Sequence, residues 1–303
     1  MSKKGFFFIF LYLSLAIIVI WLMFHLHGKS TEAAIAIFLA VFVPLGGFIS
    51  KPITTQLEIF AYNLFVNNLI YRILIFGRPG SGKTTFIRTG FTICNPEKSI
   101  RSTENFNCHE FKVNLNLNKK SVDVAIADYK GQDPYEIVMN PPVYFFGDEN
   151  NRLINSIFFI VDLVPRICDD NGEPLKDKFL LDWLKKDNIN EKIKVRISEH
   201  YDYINEFSLQ LIFKNFYSSN LKNVFLIINK LDLVEKLLND GYLTLSDFRS
   251  AEEFAMCKFS RMIGQIESVC SKLNIDDFSV YTISATKKDN LRPLIAKVLS
   301  NEL

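Results

Sequence analysis

The run Leu69-Ile70-Tyr71-Arg72-Ile73-Leu74-Ile75-Phe76 is short, rich in β-branched and aromatic residues, and closed by a glycine, so it reads as a buried strand. It leads directly into Gly77-Arg78-Pro79-Gly80-Ser81-Gly82-Lys83-Thr84-Thr85, and no other stretch restricts the possible folds as strongly. The spacing is GxxxxGK[ST] between a strand and a helix. Glycines at these positions let backbone N–H groups turn inward around a polyphosphate, and the following helix presents the positive end of its dipole. Lys83 is placed to reach the β- and γ-phosphates, and the Thr84 hydroxyl to ligate Mg²⁺. Gly77, Gly80, Ser81, Gly82, Lys83, Thr84 and Thr85 are therefore the candidate phosphate-binding set.

A phosphate loop alone does not separate adenine from guanine, so the base must be read elsewhere. The strand Asn223-Val224-Phe225-Leu226-Ile227-Ile228 ends in Asn229-Lys230-Leu231-Asp232. A carboxylate there can accept from guanine N1 and N2 together, a donor pair that adenine lacks. Nearer the C-terminus, Phe278-Ser279-Val280-Tyr281-Thr282-Ile283 ends in Ser284-Ala285-Thr286, from which a backbone N–H can meet guanine O6. A third strand, Val122 to Ala127, closes in Asp128-Tyr129-Lys130-Gly131-Gln132 and pairs with Phe111 to Leu115 across the polar turn Asn118-Lys119-Lys120.

GRPGSGKT, DYKGQ, NKLD and SAT occur in the order and strand-end contexts of the Ras-like, translation-factor-related P-loop GTPases, which the chain resembles over roughly residues 70–303. That resemblance implies an α/β fold, a mostly parallel six-stranded sheet flanked by helices with one antiparallel strand, and a nucleotide at the strands' carboxyl ends. It also implies roles. Asp128 holds Mg²⁺ through water, the Gly131 N–H meets the γ-phosphate, and Gln132 orients the attacking water. Thr103, just ahead of the strand near Cys108, matches the family's threonine that ligates Mg²⁺ only in the triphosphate state. Arg101 lies in the loop where some large members carry an arginine that acts in cis, one residue closer to the threonine than in those proteins; Arg78 is a weaker candidate for that role. Asn229, Lys230, Asp232, Ser284, Ala285 and Thr286 form the base-binding set.

The chain departs from a minimal member in two insertions, Asp133–Asn151 and Pro165–His200, and in a lengthening between Asp232 and Ser284. The second insertion mixes Asp169-Asp170-Asn171-Gly172 with Lys185-Lys186-Asp187, without metal-ligand spacing, and reads as a solvated partner surface ahead of a helix over Tyr201–Tyr217.

The N-terminus carries a different signal. No residue from Gly5 to Phe24 is charged, which matches the ~20 residues a spanning helix needs. A short polar stretch, His25 to Glu32, separates it from a second apolar run, Ala33 to Ile49. Residues 1–50 therefore read as a transmembrane helical hairpin in the lipid bilayer. Lys3 and Lys4 precede the first span and Lys51 and Arg72 follow the second, while the loop balances Lys29 against Glu32, so both ends are expected in the cytosol. Residues 51–68 show helical spacing of Ile53, Leu57, Phe60, Leu64 and Phe65 and form a juxtamembrane helix. Residues 69–303 form the nucleotide-binding domain.

The formal net charge of +2 is spread along the chain with no long block of Lys or Arg, so nucleic acid is not an expected partner. The five cysteines form no CxxC pair and fit free thiols in a reducing compartment. The expected function is a membrane-anchored switch that binds GTP or GDP with Mg²⁺, hydrolyses GTP slowly, and recruits or releases a protein effector, with an activating protein completing the site. A GTP-bound scaffold without turnover and an ATP-using component of a membrane secretion or transport machine are the alternatives.

Overall fold

The computed structural model describes residues 70–91, 98–100, 106–114, 121–129, 143–148, 151–169, 175–244, 248–275 and 277–299. The expected hairpin over 1–50, the helix over 51–68, and the candidates Arg101, Thr103, Gly131 and Gln132 lie outside the described residues. Among the described residues, no helix is long and apolar enough to cross a membrane.

The elements follow in the order β1 (Ile70–Phe76), α1 (Lys83–Phe91), β2 (Lys98–Ile100), β3 (Phe106–Asn114), β4 (Ser121–Tyr129), α2 (Val143–Phe146), β5 (Gly147–Asp148), β6 (Asn151–Arg152) and β7 (Ser156–Asp162). Then come α3 (Asp177–Lys185), α4 (Ile189–Tyr203), α5 (Glu206–Phe216), β8 (Asn223–Asn229), α6 (Leu231–Asn239), α7 (Ala251–Lys258), α8 (Ser260–Lys272), β9 (Asp277–Thr282) and α9 (Lys288–Leu299).

The main sheet runs β2-β3-β4-β1-β7-β8-β9. Strands β4, β1, β7, β8 and β9 are mutually parallel, whereas β3 is antiparallel to β4 and to β2. The expected six-stranded, mostly parallel sheet corresponds to the six long strands. The three-residue β2 adds a seventh at the antiparallel edge, too short for any hydrophobic period to announce it. Strands β7 and β8 are buried along their whole length, and β1 at every residue but the first. Central parallel strands are covered on both faces and so need continuous apolar runs. Along β1, Leu74 and Phe76 join one core and Ile73 and Ile75 the other.

Helices α1 and α9 cover one face with Phe86, Phe91, Leu291 and Leu294. The opposite face is filled from α3 to α8, through residues such as Leu180, Ile193, Leu209, Val234, Phe254 and Ile266. Neighbours β1 and β7 thus send their following helices to opposite faces, and such a division opens a crevice at the strands' carboxyl ends.

The segment 165–200 is solvated where expected, at Asp169, Lys186 and Asp187, but it is not only a surface. It folds into α3 and most of α4, and α4 buries Ile193, Arg196, His200 and Tyr203, spaced three or four apart on one helical face. The single helix expected over Tyr201–Tyr217 is also broken. Asn205 starts α5 with a capping box, its side chain accepting from Ser208 N (2.8 Å) while its own N–H donates to Ser208 Oγ (3.3 Å).

Candidate functional site

The glycine loop 77–82, expected from its spacing to be a phosphate loop and so called below, leaves the end of β1 and folds over the carboxyl end of β7. A Cβ on Gly77 would lie 2.3 Å from the Ile160 carbonyl oxygen, so only glycine lets the loop approach β7 this closely. Gly80 and Gly82 adopt φ +79° and +91°, which other residues rarely reach. Ser81 N donates to Arg78 O (3.1 Å), closing the turn, and Phe86 N donates to Gly82 O (2.8 Å), starting α1. The first turn of any helix leaves N–H groups without intrahelical acceptors, and here that turn is Lys83, Thr84 and Thr85. Lys83 Nζ folds back to donate to Gly77 O (2.7 Å). Burial pushes the Lys83 ammonium below its ordinary value more strongly than Asp128 and Asp162 pull it up. Asp128 is buried at the end of β4, in register with Ile75 of β1.

The base-side motifs are joined to this loop by one side chain. Asn229 Nδ2 donates to Ser81 O (2.9 Å), and Asn229 Oδ1 accepts from Ala285 N (2.9 Å). The contact requires Gly82, since a Cβ there would sit 2.2 Å from Asn229 Nδ2. The loop after β9 is bound to the start of α6 as well: Leu231 N donates to Ile283 O (3.1 Å), and Asp232 N donates to Ser284 Oγ (2.9 Å). The Thr286 hydroxyl lies 3.3 Å from Asp232 Oδ2. Asn229, Lys230, Asp232, Ser284, Ala285 and Thr286, more than 50 residues apart in sequence, are therefore brought together with the phosphate loop.

Lys230 takes a left-handed conformation, φ +62°, unusual for a residue with a side chain. That turn aims its ammonium at the end of β7, where Nζ donates to Val164 O (2.7 Å) and lies 2.6 Å from Asp162 Oδ2. Asp162 is fully buried, and α4 supplies two more partners. Arg196 Nε donates to Asp162 Oδ1 at 2.5 Å, and His200 Nε2 lies 2.9 Å from the same oxygen. Burial alone would raise the Asp162 carboxyl, but Lys230, His200 and Arg196 together hold it below the usual carboxylate range. Arg196 also donates to Pro79 O (3.2 Å) and Glu199 (2.8 Å), and Glu199 lies 3.7 Å from Arg78. Helix α4 thus grips the phosphate loop from below.

These parts enclose a cleft of about 340 Å³. One wall is Gly80, Gly82, Lys83, Thr84 and Thr85; a second is Asn229, Lys230, Asp232, Ala285 and Thr286. A third, from the segment after β7 and from α3, carries Arg166, Ile167, Leu175, Asp177 and Leu180. Nothing in the local sequence pattern pointed to this third wall, nor to Arg196 and His200, whose only signal is their i, i+4 spacing. Among the described residues, no group of three His, Cys, Asp or Glu could hold a metal ion.

No protein-family model matches the chain, and no curated protein matches it.

Proposed function

We propose that this protein binds a guanine nucleotide with Mg²⁺ in the cleft and hydrolyses GTP slowly, as a switch held at a membrane by residues 1–50. The observation that carries the reading is Asn229, whose amide bonds the phosphate loop and the 284–286 loop at once. A ligand that spans both loops needs a phosphate-like end at Lys83 and a flat, hydrogen-bonding end at Asp232. Guanine N1–H and N2–H₂ match the Asp232 carboxylate, and in this reading O6 is met by a backbone N–H of the 284–286 loop other than that of Ala285, which Asn229 holds.

The donor set suits Mg²⁺. It prefers hard oxygens, keeps several waters, and is commonly held by one or two protein ligands plus substrate phosphates. The Thr84 hydroxyl and the Asp128 carboxylate are such ligands, so a cluster of three acidic or imidazole groups is not needed. Bound there, the ion neutralises charge on the phosphates. In the same reading Thr103 completes the ion's ligands in the triphosphate state, Gly131 meets the γ-phosphate and Gln132 orients water. Arg101 or a partner's arginine stabilises the transition state, and the state of the γ-phosphate decides which protein effector the membrane-bound domain engages.

Competition binding with GTP, ATP and xanthosine triphosphate tests the reading. An unsatisfied group in a buried pocket costs about 1–3 kcal/mol, so GTP should bind about 5- to 150-fold more tightly than ATP. Asp232→Asn should transfer the preference to the xanthine nucleotide. Equal affinity of the native protein for GTP and ATP would sink the assignment. Single-turnover hydrolysis by native protein and Gln132→Leu separates a slow hydrolase from a scaffold that only holds GTP.

A further inference from the structure

Among the described residues, Arg166 is the one cation on the third wall of the cleft, and helix α1 and the phosphate loop do not supply it. Its stem lies against the phosphate loop: a Cβ built on Gly80 would meet Arg166 Cβ at 2.5 Å and Cδ at 3.3 Å. Its position is set on both sides. Upstream, Leu163 and Val164 are buried and the Val164 carbonyl accepts from Lys230 Nζ (2.7 Å). Downstream, Leu175 N donates to Ile167 O (2.8 Å). The side chain is exposed, and among the described residues no carboxylate pairs with it. A guanidinium fixed at its base, free at its tip and leaning over the loop at Gly80 is suited to anionic oxygens, which its fork can bind in pairs.

We propose that Arg166 is a nucleotide-binding residue that holds the α- and β-phosphates from the side opposite Lys83. The inference rests on the guanine-nucleotide reading above. The placement along the polyphosphate follows from the neighbours. Arg166 lies against Gly80 and shares the cleft with Lys83 and Thr84 as well as with Lys230 and Asp232 of the base-side wall, while Asp128, assigned to the Mg²⁺ and γ-phosphate end, does not line it. A group at the α and β positions acts on ground state and transition state alike, so it lowers the dissociation constants of GDP and GTP together without changing kcat. An arginine at the γ-phosphate would do the reverse. The segment after β7 thereby becomes part of the nucleotide site, which links nucleotide occupancy to α3 and α4.

The test uses the full chain purified in mild detergent, with fluorescent GDP and a non-hydrolysable GTP analogue, on native protein, Arg166→Ala and Arg166→Lys. Thermal unfolding without nucleotide should be the same for all three, because the side chain is exposed. The expected result is a loss of about 10- to 100-fold in affinity for both nucleotides in Arg166→Ala. Arg166→Lys should show a smaller loss, and kcat at saturating GTP should stay within about twofold. Unchanged affinity for both nucleotides overturns the proposal. A loss confined to the GTP analogue, or a fall in kcat with affinity retained, also overturns it by moving the guanidinium to the γ-phosphate. If the native protein binds neither nucleotide, the guanine-nucleotide reading fails first, and this inference falls with it; the native arm alone makes that distinction.

Discussion

The phosphate loop and helix α4 meet at Pro79 and Glu199, yet they are held in place by opposite means. The loop owes its shape to neighbours in sequence. Gly80 and Gly82 take backbone angles open to glycine, Ser81 N closes onto Arg78 O, and Lys83 folds back to Gly77 O. Helix α4 is held by charges that arrive from distant parts of the chain: Arg196 reaches Asp162 at a separation of 34 residues and Pro79 at a separation of 117. A loop set by local backbone angles tolerates almost no substitution. A buried ionic cluster adds little net stability, since desolvating the ions costs about as much as their attraction returns, but removing one member leaves the others uncompensated. The loop is thus sensitive to added atoms and α4 to lost charge.

The largest effect is expected from Arg196→Met. It leaves Asp162 buried with only Lys230 and His200, and removes the bond to Pro79 O. Breaking a buried pair on one side costs about 3–5 kcal/mol, readable as a lowered denaturant midpoint. An unchanged midpoint would show that apolar packing, not charge, seats α4. A smaller loss, about 1–3 kcal/mol, is expected from Gly82→Ala, which forces a side chain into the left-handed region and drives Asn229 off Ser81 O. Gly264→Ala supplies the contrast. In the exposed middle of α8 a Cβ meets nothing within 4 Å, and the change should add about 0.5–1 kcal/mol. If both glycine variants shift stability alike, the phosphate loop is not conformationally special.

A further effect concerns pH. Burial, reinforced by Arg196 and Lys230, holds the His200 imidazole below its ordinary 6.5 against the pull of Asp162. The unfolded chain therefore takes up a proton where the folded protein does not. Stability from this group is complete above about pH 6.5 and is lost as the pH falls below it, with a slope of at most about 1.4 kcal/mol per pH unit. Asp162 stays ionised throughout this window, because its folded carboxyl lies below the usual range. Unfolding measured between pH 7 and 5 should show the slope in the native protein and lose most of it in His200→Gln. The same slope in both would assign it to groups outside the cluster.

Of the candidate site, the phosphate loop was the most legible. Gly77, Gly80, Gly82, Lys83, Thr84 and Thr85 are contiguous, and the spacing that defines them is the spacing that shapes them. The strands β1 and β8 were legible for a related reason, since a strand covered on both faces must be apolar throughout. The edge strand β2 carries no such demand over its three residues, and the break at Ile204 and Asn205 depends on one capping box inside an otherwise helical pattern. The insertion 165–200 was read as solvated, which holds for Asp169, Lys186 and Asp187 but not for Arg196, because mixed charge along a helix is the same in sequence whether its charges meet water or a buried carboxylate. Only the position of Asp162 beneath the phosphate loop decides that Arg196 faces inward.

The amino-acid sequence by itself determined the local geometry: a strand, a glycine loop and a helix whose first N–H groups gather at Thr84 and Thr85, followed by strand ends carrying Asn229, Asp232, Ser284 and Asp128. These are consequences of backbone angles and hydrophobic runs, which act between near neighbours. The tertiary structure alone decided that Asn229 bonds both loops, that Lys230 turns back to β7, and that Arg166 leans over Gly80. Each of those contacts joins residues 50 or more apart; burial makes the Asn229 and Lys230 contacts selective, because an unmet polar group there has no water to turn to, whereas Arg166 is held by the close approach of its stem to Gly80.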